Sequence, residues 1–162
     1  MTRFRTFLWA AAMVACAAVV PLAAEVLGMH VAGTLWNNLR LQAPWLSEAG
    51  EIFAGLIGGA LVGLVQWAIL PRARRRWIAA ATWAGLGIGV ARAIWMPLAV
   101  VAAPVSGALA GRSQALSPRW PRAQSMACAW AALALALPFP QWARGAFLVG
   151  AAAISAYGVH SS

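Results

Sequence analysis

The chain has 162 residues, of which 63% are hydrophobic and 9% charged, with a mean hydropathy of +0.76. Soluble domains carry roughly a quarter charged residues, so this composition excludes a soluble fold and points to one compact membrane domain, residues 1–162. The net charge of +9 comes from arginine alone, set against Glu25, Glu48 and Glu51; the arginines cluster in short runs between apolar segments, which suits membrane loops and not a nucleic-acid-binding face.

A bilayer-spanning helix needs about 20 apolar residues. Arg3 and Arg5 ahead of the apolar run Phe7 to Val20 have the form of a signal peptide. A cut before Glu25 would put Leu22, which is not small, at the third position before the cleavage point. The segment is therefore expected to stay as a signal anchor and first span, Phe7 to Leu27, kinked at Pro21. Residues 28–50 hold Asn37, Asn38, Arg40, Gln42, Pro44 and Glu48, the longest polar excursion. Val31, Leu35 and Leu39 recur there every fourth residue beside Trp36, which predicts a short helix lying in the interface.

Span two is expected over Ile52 to Leu70, ending at Pro71 and Arg72, with Arg74, Arg75 and Arg76 following. Span three runs from Trp77 to Ala91, before Arg92, Trp95 and Pro97. Span four covers Leu98 to Leu116, span five Ala123 to Leu137, and span six Gly145 to Val159. Spans three, five and six are short, so an arrangement with one re-entrant segment stays open. The expected fold is thus an all-α, polytopic helical bundle of about six transmembrane helices. Its parts are 1–50 (first span and outer interfacial segment), 51–96 and 97–144 (two hairpin repeats), and 145–162 (last span). With the amino terminus inside, nine arginines face the cytoplasm; Arg40, Arg92 and Arg144 face outward with all three glutamates. That bias predicts a bacterial inner-membrane protein with both termini cytoplasmic.

The two hairpins share a pattern. Gly55-x3-Gly59-x3-Gly63-x2-Gln66 recurs 48 residues later as Ala103-x3-Gly107-x3-Gly111-x2-Gln114. Further matches are Pro71-Arg72 with Pro118-Arg119, and Trp83 with Trp130. Gly145 to Gly150 has the look of a third, degraded copy. Each copy holds two spans, so the copies enter the membrane alike, as a parallel repeat about an axis along the membrane normal. Small residues four apart form a stripe on which another backbone packs closely. The stripes are expected to face protein and to clamp the two hairpins together. Each glutamine lies about 60° off its stripe, one turn from the cytoplasmic end. An interhelical hydrogen bond is the favoured reading of Gln66 and Gln114, and a lining for a solute path the other.

This pattern, with Trp67 after the first glutamine and an arginine-rich loop before Trp77, resembles uncharacterised small bacterial membrane proteins with repeated Gly-Gln hairpins. The resemblance covers Gly55 to Gly89 well and Ala103 to Ala131 less well, since Ala115 follows Gln114 and Arg112 interrupts the span. It implies an architecture and no activity.

Nothing in the sequence carries a reaction. His30 and His160 fall on opposite sides of the predicted bilayer, so a shared metal site is not expected. Ser106 on span four and His160 on span six invite comparison with rhomboid proteases, yet Pro104-Val105-Ser106-Gly107 lacks their first glycine and the predicted depths disagree. Cys16 and Cys128 have no metal-spaced neighbours and read as small buried hydrophobes. Glu25 and Glu51 are expected to meet outer water, Arg40 or Arg92. Trp36, Trp45, Trp77, Trp95, Trp120 and Trp142 are expected as interfacial anchors, and Trp67, Trp83 and Trp130 as packed between helices. No catalytic or metal residue is assigned, and no cofactor is named. The expected partners are membrane lipid and other membrane subunits, and no nucleic acid. The favoured function is a non-enzymatic accessory or scaffold subunit of a larger inner-membrane complex; the alternative is a small-solute transport component, similar in span count and length to the six-helix substrate-binding subunits of energy-coupling transporters.

Overall fold

A computed structural model describes residues 3–39, 46–69, 76–95, 97–114, 119–136 and 141–160. The described residues form six α-helices and no strand: α1 (Arg3–Leu39), α2 (Leu46–Ile69), α3 (Arg76–Ile94), α4 (Leu98–Gln114), α5 (Trp120–Ala136) and α6 (Gln141–His160). Among the described residues three stretches are long and apolar enough to cross a membrane: Ala18–Asn38, Leu46–Ile69 and Arg76–Ile94. The arginine-rich loop from Pro71 to Arg75, together with Arg40, Gln42, Pro44 and Trp45, lies outside the described residues. So do the side chains of Arg3, Arg5, Trp142, Arg144 and His160.

The first correction concerns α1. Residues 28–39 are not a separate interfacial helix; they continue α1, which is 37 residues long and about 56 Å from end to end. The cause is Gly28. A Cβ there would lie 2.6 Å from the Ala54 nitrogen and 2.7 Å from the Gly50 oxygen, so only glycine lets α1 stay against α2 beyond Leu27. Pro21 sits inside the helix without ending it. Helix α2 correspondingly begins at Leu46, six residues before the expected start, with Glu48 in its first turn where a carboxylate complements the helix dipole.

Each helix packs on its neighbour in sequence, and α6 returns to α1, so the six close into a ring. Neighbours run antiparallel. Gly55 meets Gly85 and Gly89 while Gly63 meets Ile78 and Ala81. Gly107 meets Cys128 while Gly111 meets Pro121. Between the hairpins, Gly87 meets Ser106, and Trp77 meets Gln114. The hairpins α2–α3 and α4–α5 therefore point the same way.

The interior is built from small residues and tryptophan. Among the described residues, eleven of the fifteen buried hydrophobic ones are alanine, three are tryptophan (Trp9, Trp77, Trp120) and one is Cys16. Large aliphatic and aromatic side chains such as Leu22, Val26, Trp83, Val101 and Leu109 point outward. In lipid no hydrophobic force draws leucine inward, and helices associate through close backbone approach and hydrogen bonds. This distribution suits a lipid surround.

Candidate functional site: a cavity between a polar lock and an ion pair

The small-residue stripes close each hairpin on itself, a second correction to the sequence reading. A Cβ on Gly59 would collide with the Ala81 carbonyl, and one on Gly55 with the Gly85 carbonyl. Gly63 abuts Ile78. The partner is a stripe on α3 that the sequence reading passed over, Ala81-x3-Gly85-x3-Gly89. On α4, Gly107 lies against the Gln124 carbonyl and Cys128, and Gly111 against Pro121. Ala103 is buried at 1% exposure.

Among the described residues, the hydrogen bonds that join the hairpins lie at the arginine-rich end. Gln114 Nε2 donates to Gln66 Oε1 at 3.1 Å, so residues at matching places in the two copies meet directly. The Trp120 indole donates to Gln114 Oε1 at 2.7 Å, and the Trp77 indole to the Gln114 carbonyl at 3.0 Å. Trp77 stacks on Trp120 with ring centres 6.0 Å apart; Trp9 meets Trp120 edge-on at 5.8 Å. The Trp9 indole in turn donates to Ser155 Oγ at 3.0 Å, and Gln124 Nε2 reaches the same oxygen at 3.5 Å. Every helix contributes: Trp9 from α1, Gln66 from α2, Trp77 from α3, Gln114 from α4, Trp120 and Gln124 from α5, Ser155 from α6. All are buried. Arg76, Arg112, Arg119 and Arg122 sit exposed around this end.

Trp95 is 62% exposed, as expected of an interfacial anchor, but four other tryptophans divide differently from expectation. Trp77 and Trp120, placed in the interface by their nearness to loops, and Trp9 of α1 are buried, while Trp83 and Trp67 face outward; Trp130 packs between helices as expected, against Phe147 of α6 with ring centres 4.9 Å apart. Helical register decides this. Trp77 is one turn before Ala81 on the α3 stripe, whereas Trp67 is rotated about 100° from the buried Gln66.

At the opposite end Arg92 meets Glu51, with Nη2 donating to Oε1 at 3.1 Å and Nε 3.0 Å from Oε2 in an approach too bent for a hydrogen bond. Both side chains are about one-third exposed. Between this pair and the lock lies a cavity of about 260 Å³. It runs along α2 from Glu51 to Gln66, fifteen residues or about 22 Å of helix. Its walls are mainly small or aliphatic, from Val20 and Ala24 of α1 to Ala84 and Ile88 of α3. Gln66, Gln114, Gln124 and Cys128 close one end; Glu25, Glu51 and Arg92 form the other. Gln66 bonds only through Oε1 and Gln124 only through Nε2, and neither remaining amide atom is a buried orphan. Both residues line the cavity.

His30 is exposed and only its backbone carbonyl is engaged, by Thr34 Oγ1. Among the described residues no three His, Cys, Asp or Glu side chains group as a metal site. Ser106 stands by Gly87 at the hairpin junction. Comparison with protein-family models, with curated proteins and with solved structures finds no match.

Proposed function

We propose that this chain is a multi-pass protein of the bacterial inner membrane that holds a small molecule among its helices, as the binding part of a transport system. The cavity between the glutamine lock and the Glu51–Arg92 pair carries the reading. It has the character of small-molecule sites, apolar walls with a few polar groups converging at defined places. Its length along α2 approaches the roughly 30 Å of a bilayer's hydrocarbon core, so it reaches towards both surfaces. All six helices cross in this reading, with the arginine-rich end and both termini cytoplasmic, and the α2–α3 and α4–α5 hairpins descend from one duplicated unit. The direct meeting of Gln66 and Gln114 fits a local twofold between them.

A scaffold reading rests on the near absence of chemistry, the small soluble mass and an extensive small-residue packing surface. That surface is consumed inside each hairpin, by α3 for Gly55, Gly59 and Gly63 and by α5 for Gly107 and Gly111. No chemistry beyond binding is assigned, and the chain is read as non-enzymatic. Purification in mild detergent separates the two readings. A chain isolated without stoichiometric protein partners and carrying a small molecule supports solute binding; a fixed multi-subunit assembly supports the scaffold.

A further inference from the structure

The cavity's walls, floor and mouth differ in chemistry, and together they specify a class of ligand. We infer that it takes an unbranched alkyl chain bearing a cationic head, an alkyl amine or alkylammonium, with its charge beside Glu25; this rests on reading the cavity as a binding site. Among the described residues the walls carry no aromatic side chain, so they offer nothing to stack a ring and suit a flexible aliphatic chain. A dry cavity of about 150 Å³ accepts benzene, so about 260 Å³ holds on the order of ten heavy atoms.

The mouth supplies the sign. Glu25, Glu51 and Arg92 are the charged residues lining the cavity. Arg92 is committed to Glu51, which leaves the Glu25 carboxylate without an ion pair among the described residues. Gly28 packs on Ala54 and Gly50, and Gly58 on Ala24 and Val20. That register sets Glu25 level with Gly55, about one turn or 6 Å deeper than Glu51. Glu25 also falls within the apolar stretch Ala18–Asn38. An acid at that depth calls for a countercharge, and among the described residues none pairs with the Glu25 side chain, which stands exposed at the cavity's edge. A ligand cation supplies it, with the chain lying along Gly55, Gly58 and Val62 towards the amide groups of Gln66 and Gln124.

The test uses the full chain in lipid nanodiscs with Val62→Cys as a reporter on the cavity wall, in a Cys16→Ala, Cys128→Ala background. Protection of that thiol from a small methanethiosulfonate reagent is measured with decylamine, decanol and decyl sulfate below their micellar concentrations. The expected result is protection by decylamine at least about tenfold more potent than by the other two, with the preference lost in Glu25→Gln while its unliganded thiol reacts as before. Equal protection by all three overturns the cationic assignment and leaves the cavity standing as a chain-binding site. Protection by none overturns both.

Discussion

Replacing Gln114 by leucine removes the residue on which both halves of the polar lock converge. Two side-chain bonds go, from Trp120 and to Gln66, while the Trp77 bond survives because it ends on the Gln114 backbone carbonyl. Interhelical hydrogen bonds in membranes average about 0.6 kcal/mol and reach about 1.7. The Trp120 indole is fully buried, so its N–H is left without a partner at a further cost of about 1–3 kcal/mol. Gln114→Leu should therefore destabilise by about 2–4 kcal/mol in total. Gln66→Leu breaks one bond and strands the Gln114 amide N–H but leaves the Trp120–Gln114 bond in place, so a smaller loss of about 1–2 kcal/mol is expected. The assay is unfolding by SDS in mixed micelles, followed by tryptophan emission, for both single variants and the double. The double-mutant cycle should return a Gln66–Gln114 coupling of about 0.6 kcal/mol or more. A Gln66→Leu variant as damaged as Gln114→Leu, or no coupling between them, refutes the lock.

The glycines divide by what a methyl group would meet. Gly59→Ala and Gly85→Ala drive a carbon into facing backbone and should each cost about 1–3 kcal/mol in the same assay, whereas Gly58→Ala meets only side chains at ordinary contact distance and should be nearly neutral. Gly33 faces open space, so Gly33→Ala should add about 0.5–1 kcal/mol of helix stability. Trp77→Leu should destabilise far more than Trp83→Leu, because only Trp77 is buried and hydrogen-bonded; equal effects would put Trp83 in the packing. Arg92→Ala leaves Glu51 unpaired, so it should be less stable than the Glu51→Ala, Arg92→Ala double variant, and the opposite order would deny the ion pair.

The all-helical fold and the position of the packing glycines were legible because both rest on local periodicity. Small residues at Gly55, Gly59 and Gly63 can only be a close-approach face, whichever helix fills it. The identity of that helix was not legible from α2 alone; it needed the matching spacing of Ala81, Gly85 and Gly89 on α3. The length of α1 was hidden for a related reason. Asn37 and Asn38 lower the hydropathy beyond Leu27, but Gly28 holds the helix on α2, and that is a tertiary effect. Distance from a loop misplaced Trp77 and Trp120, whereas their offset from Ala81 and Gln124 would have placed them inside. The cavity was beyond reach of the sequence, since Glu25, Gln66, Arg92 and Gln124 come from four helices brought together only by the closed ring.

Native mass spectrometry of the chain released from mild detergent bears most directly on a molecule-holding cavity. A single chain carrying an added small mass, lost when Ala84→Phe fills the cavity wall, is the predicted spectrum. A bare chain, or an adduct that persists unchanged in Ala84→Phe, would contradict it.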